Sequence, residues 1–273
     1  MTPIQVARAF RWACEAELAA LKPGNVHVHA AGHGMTVAQF RRSARAAAPW
    51  LSAADLPPGE RVLGAVAATR NAVGINTNLG IVLLAAPLCH AALVHSGLTL
   101  PLGVARTLAR LTRADTRAVF RAIALAAPAG LGHRETQDVR QAPRIGLVDA
   151  MRLAARRDLI ARQYASGFAV VLKPGLGSLE RDLAAALDIE AATTRLHMTL
   201  MRRFPDSHIA RKYGGRVAVA IRDEARAIPD TTRALMAFDR SLKQRGFNPG
   251  TTADLVVASL LAYRLTSIVR AVA

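Results

Sequence analysis

Four short stretches of this 273-residue chain carry side chains suited to chemistry. "LKPGNVHVHAAGHGM" (21–35) sets Lys22 and Asn25 around a Pro-Gly turn and follows them with His27, His29 and His33. "GINTNLGI" (74–81) places Asn76, Thr77 and Asn78 between two glycines, just ahead of an apolar run. "FPDSHIARKYGG" (204–215) gathers Asp206, His208, Arg211 and Lys212, and "NPGTTADL" (248–255) contains Asp254. Cations and exposed N–H groups suit phosphates, the more so at a helix start, where the dipole is positive. Carboxylates suit a magnesium ion or a proton. The histidines admit two readings, a zinc nest or a cradle for a polyanion, and no HExxH or cysteine spacing supports zinc. Plain structural uses stand beside these. Asn-Thr-Asn can cap the next helix, Thr251 with Asp254 fits a capping box, Arg211 and Lys212 can be solvated charges, and Glu17 can be a surface carboxylate.

The elements that must position these loops are helical. The chain is 52% hydrophobic but only 4% aromatic, and its dominant Ala, Leu and Arg are good helix formers and poor strand formers. Apolar residues recur at helical spacing over 60–73 (Val62, Leu63, Val66, Ala67, Val73) and 116–127 (Val119, Phe120, Ile123, Ala127), the latter with Asp115 as a candidate N-cap and Pro128 as its stop. Further helices are predicted at about 147–165, 179–202, 214–227, 231–245 and 252–271. "FAVVL" (168–172) and "RVAVAI" (216–221) lack partner strands and are predicted helical, and "LKPGLGS" (172–178) is the best candidate for a hinge. No linker or internal repeat divides the chain. The fold class that follows is all-α, one multi-helix bundle over residues 1–273 with a polar cleft lined by inter-helix loops.

A net charge of +17 attracts anions. The basic residues are scattered in ones and twos with few aromatics between them, which argues against nucleic acid, and Arg and Ala enrichment by genome-wide bias accounts for part of the excess. Cys14 and Cys89 stand alone, so neither a metal clip nor a disulfide framework is offered. The N-terminus lacks the apolar core of a signal peptide. The most apolar segment, 80–94, falls short of the ~20 residues that cross a bilayer. The expectation is a cytoplasmic protein without a membrane partner; its oligomeric state stays open.

Taken in order, "E…LKPGNV", "GINTNLGIVLL", "FPDSHIARKYGG" and "NPGTTADLVVA" resemble the triphosphoribosyl-dephospho-CoA synthase family over nearly the whole chain. The resemblance implies ATP and 3′-dephospho-CoA as small-molecule substrates. The acceptor's 2′-hydroxyl would attack C1 of the ATP ribose and adenine would leave. It further implies Lys22, Asn25, Arg211 and Lys212 on phosphates, Asn76 and Thr77 on ATP, and Glu17, Asp206 and Asp254 in acid–base work, with Asp206 and Asp254 as the magnesium ligands. The chain departs from the family pattern at Gly34, where an acid is expected, and at "NTNLG", where a histidine and a lysine are missing. These departures bear on the acceptor, so ribosyl transfer to another alcohol in one-carbon cofactor biosynthesis is the alternative within the enzyme class. A non-catalytic basic binding module is the alternative outside it. Clustering of the bases with Asp206 and Asp254 in one cleft distinguishes the two.

Overall fold

The last helix is apolar almost all round, and a helix of that kind must be surrounded. In the computed structural model, which describes residues 1–127 and 143–270, this helix, α14 (Gly250–Arg270), runs through the middle of the bundle. It touches α1 (Pro3–Ala19), α4 (Leu79–Val94), α5 (Leu100–Ala109), α8 (Leu159–Ala165), α9 (Leu176–Ala184), α10 (Ile189–Arg203) and α11 (Ser207–Tyr213). By length and composition α14 could cross a membrane, but 61% of its most apolar window is buried inside the bundle. The remaining helices are α2 (Val37–Ser52), α3 (Pro58–Val73), α6 (Arg113–Ala126), α7 (Leu147–Ala154), α12 (Gly215–Ala227) and α13 (Thr232–Gln244). Among the described residues there is no β-strand, so the all-α expectation holds.

Local sequence explains where most helices begin. Thr2, Thr36 and Thr112 form capping boxes with Gln5, Gln39 and Asp115. Asp115 is therefore the box partner of α6 and not its N-cap; its other oxygen accepts from Gly59 N–H (2.8 Å). Pro128 lies outside the described residues. The predicted helix at 147–165 is two helices, with Asp158 capping the second, and 179–202 likewise divides before Asp188, which caps α10. Thr251 and Asp254 make no capping box, because α14 already starts at Gly250.

The expected hinge at 172–178 is continuous helix. A π-helical turn (Val171–Gly175) leads directly into α9, and the bare Gly175 lets the segment close on α14, where a Cβ would stand 2.2 Å from Ser259 Oγ. "RVAVAI" lies inside α12 as expected; in "FAVVL" Phe168 is a left-handed bend residue (φ 63°), and helix starts only after it and runs into the π-turn.

Two cores result. The large one joins α1–α10 to α14, and a smaller one packs Met198, Met201, Ile209, Ile221, Phe238 and Leu242 between α10, α11, α12 and α13. The first loop and the segments before α11 and α14 meet along the seam between them.

Candidate functional site

Lys22 follows α1 and turns back under its last turns. Its ammonium, with no exposed surface, donates to Glu17 Oε1, to Asn25 Oδ1 (3.1 Å) and to the Val26 carbonyl (2.7 Å). All three hydrogens are thus taken. Burial raises the Glu17 pKa and lowers that of Lys22, each opposed by the other's charge. Expected on a phosphate, Lys22 is found as the internal brace of the loop.

Asn25 extends the brace, its amide donating to Asn248 Oδ1 (2.9 Å), and so ties the first loop to the segment before α14. From α13, Asp239 Oδ1 accepts from Gly24 N–H (2.8 Å), while Lys243 reaches Asp239 Oδ2 (3.0 Å), the Ala30 carbonyl (3.1 Å) and His27 Nε2 (3.2 Å). Burial pushes the Asp239 carboxyl up, and the bonds from His27, Lys243 and Gly24 together bring it below its usual range. Gly24 holds a left-handed φ of 82°, and a Cβ there would stand 2.8 Å from both Leu242 and Pro249. His27 is committed to Asp239 and Lys243, and His33 Nε2 bonds to the Gly24 carbonyl (2.8 Å), so the three histidines do not converge as a zinc nest.

Asp206 fastens two helices. Oδ1 accepts from His208 N–H (2.8 Å) and Ile209 N–H (3.1 Å) at the start of α11; Oδ2 accepts from Thr252 N–H (2.7 Å) and its hydroxyl (2.8 Å) in the first turn of α14. Asp254, one turn on, forms no hydrogen bond or ion pair with a described residue and keeps partial solvent contact. It lies against Gly80 at the start of α4, where an added Cβ would stand 2.0 Å from Oδ2. Its deep setting, then the charge of Asp206, raise its pKa well above the usual carboxylate range; Arg211 opposes this and Glu17 adds to it. Arg211 donates to Asp158 Oδ2 (2.6 Å), the cap of α8, and its Nε is buried without a partner.

The structure therefore brings together Glu17, Lys22, Asn25, Asp206, Arg211 and Asp254, drawn from both ends of the chain. Three others have local partners of their own. Asn76 is exposed, accepts from Leu79 N–H (3.1 Å) and borders a crevice with Thr69 and Arg70. Thr77 is buried against Ser43 (Oγ1···Oγ 2.5 Å), and Lys212 is exposed with its Nζ 5.0 Å from the Tyr213 ring centre. Residues the sequence reading passed over are Asp239, Lys243, Asn248, Thr252 and Asp158. Asp158 carried a signal, as an aspartate just before an apolar run; the others depend on contacts between distant segments.

Among the described residues no three His, Cys, Asp or Glu side chains are arranged to hold a metal ion. Asp206 has both oxygens engaged and Asp254 is biased toward its neutral form, so neither is a ready inner ligand. Such a donor set suits magnesium that arrives on a polyphosphate and keeps most of its waters, not a protein-built cage.

Over 104 residues the chain is 31% identical to a 2-(5''-triphosphoribosyl)-3'-dephosphocoenzyme-A synthase of Pectobacterium atrosepticum, a match covering 37% of this chain and 35% of the relative. A relative from Pectobacterium carotovorum matches to the same extent, so the chain spans about a third of the length of the curated relatives it matches. A crystal structure from Archaeoglobus fulgidus, provisionally named as a triphosphoribosyl-dephospho-CoA synthase, superimposes with a TM-score of 0.67 at 27% identity, covering 82% of this chain and 97% of that one. Residues 3–271, all but the extreme ends, match the family described as ATP:dephospho-CoA triphosphoribosyl transferase, and the chain belongs to that family.

Proposed function

We propose that this protein transfers the triphosphoribosyl group of ATP to the 2′-hydroxyl of 3′-dephospho-CoA and releases adenine. The observation that carries the reading is Asp254, a carboxyl group free of hydrogen bonds and biased toward its protonated form, set where loops from both ends of the chain meet. Breaking the bond between C1 of the ribose and the purine leaves an oxocarbenium-like carbon and an anionic base, so the reaction needs an acid at the purine. Asp254 supplies that proton. Asp206, held in position by four donors, is one of the causes that raise the Asp254 pKa and stands on the side from which a carboxylate would favour the cationic carbon. In this reading Glu17 is the second carboxylate and takes the proton of the attacking hydroxyl; its bond from Lys22, which fixes its rotamer, supports that assignment. The new bond to oxygen forms as the bond to nitrogen breaks, and the hydroxyl proton balances the one given to adenine. Arg211, with part of its guanidinium uncommitted, and the exposed Lys212 hold phosphates. Magnesium arriving on the triphosphate would neutralise phosphate charge while keeping its waters, which leaves Asp254 free to act as the acid. Cys14 and Cys89 are buried and unpaired, which fits a reducing, cytoplasmic location.

The test is adenine release from ATP, followed by chromatography, against dephospho-CoA and a panel of other alcohols, with the acceptor's mass gain as second readout. Release with a pterin-type alcohol in preference to dephospho-CoA would move the acceptor to one-carbon cofactor synthesis. No release with any acceptor, from protein that binds ATP, would replace the enzyme reading with a binding module.

A further inference from the structure

We propose that His33 is a proton-linked contact for a polyphosphate at the rim of this site, the anion belonging either to ATP or to the diphosphate of the acceptor. The inference rests on the transferase reading only for the source of the anion.

The backbone gives the first argument. Residues 32–35 form a tight turn closed by Met35 N–H to the Gly32 carbonyl (3.0 Å), with His33 at φ 57° and Gly34 at φ 71°. Histidine, like Asn, enters the left-handed region more readily than most side chains, so the turn fixes where the ring stands and accepts Asn in its place. A Cβ on Gly34 would meet nothing within 4 Å, so the outer side of the turn is open.

The ring gives the second. Nε2 lies 2.8 Å from the Gly24 carbonyl, which can only accept, so Nε2 carries the hydrogen and Nδ1 of the neutral ring bears a lone pair. That Nδ1 has no partner and retains solvent contact, whereas the Nδ1 atoms of His27 and His197 are buried. A phosphate oxygen cannot bond a lone pair. It can bond Nδ1 only if the ring takes up a proton.

The surroundings give the third. Facing His33 are Lys243 and Asp239 from α13, Lys212 and His208 from α11, and the Gly24 carbonyl. Burial first, then Lys243 and Lys212, hold its pKa below the ordinary histidine value, so the ring is neutral in the free protein at neutral pH. Lys243 packs its chain against Gly32, 3.0 Å from where a Cβ would be, and is engaged by Asp239, His27 and Ala30. Lys212 has only the Tyr213 ring. Two cations that disfavour a third charge become favourable company once a polyanion enters, and the proton follows the anion.

The test uses the full chain with inorganic tripolyphosphate as probe. Calorimetric titration near pH 7.5 in two buffers of different ionisation enthalpy should show net proton uptake on binding, and affinity should rise as pH is lowered toward 6. His33→Asn suits the left-handed backbone and should keep the fold, with a modest fall in Tm from loss of the bond to the Gly24 carbonyl. It should lose the proton uptake and bind the probe about tenfold more weakly, as expected for one charge-assisted hydrogen bond. In turnover assays the substrate whose KM rises in H33N identifies the source of the anion. Absence of proton uptake in the unmodified protein, or equal uptake and affinity in H33N, would overturn the proposal. Tripolyphosphate binding with proton uptake in a protein that releases no adenine would instead leave the proposal standing and remove the transferase reading.

Discussion

Replacing Asp206 with asparagine separates anchoring from chemistry, because its carboxylate serves four donors and an amide cannot. If the new carbonyl oxygen faces α11, the amide hydrogens face Thr252; if it faces Thr252, the two N–H groups of α11 lose their acceptor. The Thr252 hydroxyl can rotate to accept, so the smallest loss is one buried N–H left unpaired, about 1–3 kcal/mol. Removing a charge that sits at the start of both α11 and α14 adds about 0.5–1 kcal/mol. The total, about 2–4 kcal/mol, corresponds to a fall in Tm of order 10 °C for a chain this size. The same change takes the anion from beside Asp254, so the Asp254 pKa should drop and the alkaline limb of the pH–rate profile should move to lower pH. Thermal melts and adenine release over pH 5–9 on one preparation give both readouts. A Tm within about 1 °C of the unmodified protein would refute the anchoring argument, and an unmoved alkaline limb would refute the pairing with Asp254.

Asp254→Asn should cut adenine release by roughly two or more orders of magnitude while stabilising the fold. The raised folded pKa means that the carboxyl's favourable contribution is complete below its unfolded value and is lost as pH rises through the folded one. The gain in Tm should therefore be present near pH 8 and absent near pH 4, and an equal gain at both would contradict it. Gly80→Ala places a methyl 2.0 Å from Asp254 Oδ2 and 2.8 Å from Ile160 Cδ1. It should cost about 1–3 kcal/mol of stability and lower kcat more than it raises KM; unchanged turnover would mean that Asp254 does not act from this position. Lys22→Met leaves Glu17 buried and unpaired, a loss of about 3–5 kcal/mol, and adding Glu17→Gln should recover much of it. Strict additivity in urea unfolding would show that the two groups are not coupled.

How far the sequence alone reaches is clearest at the helix ends. Periodicity located α3, α6, α12, α13 and α14 to within a few residues because each buries one coherent stripe or is buried throughout. It ran through the breaks before α8 and α10 because alanine and leucine carry helical propensity across them, and only Asp158 and Asp188 mark the restarts. In the site, Asp254 was visible as an acid leading into an apolar run, and Arg211 as one of a charged group with Asp206, His208 and Lys212. Lys22 looked like a free cation in a loop, because nothing local shows the chain doubling back to bury it on Glu17. Asn76 and Thr77 were legible as helix-start residues; the N-cap itself is Asn78, and of the two only Asn76 reaches the helix, accepting from the Leu79 N–H.

The tripeptide Lys-Pro-Gly occurs twice and shows what decides such cases. At 22–24 the glycine sits at φ 82° because Leu242 and Pro249 leave no room for a side chain and Asp239 waits for its N–H; at 173–175 the glycine is helical because Ser259 of α14 requires a bare backbone at a helix crossing. The local sequence asks for a glycine in both places, and only the partner brought in from the other end of the chain determines whether that glycine makes a turn or a contact. Gly80 obeys the same logic. It is bare so that Asp254 can lie against the start of α4, which makes the placement of the proposed acid a consequence of helix packing. The proposed chemistry thus depends on where α14 begins: its first two turns bind Asp206, display Asp254 and, through the segment before them, hold Asn25. Substitutions that shift the start of α14 should consequently disturb acid, anchor and first loop together, even where they touch none of the reacting groups.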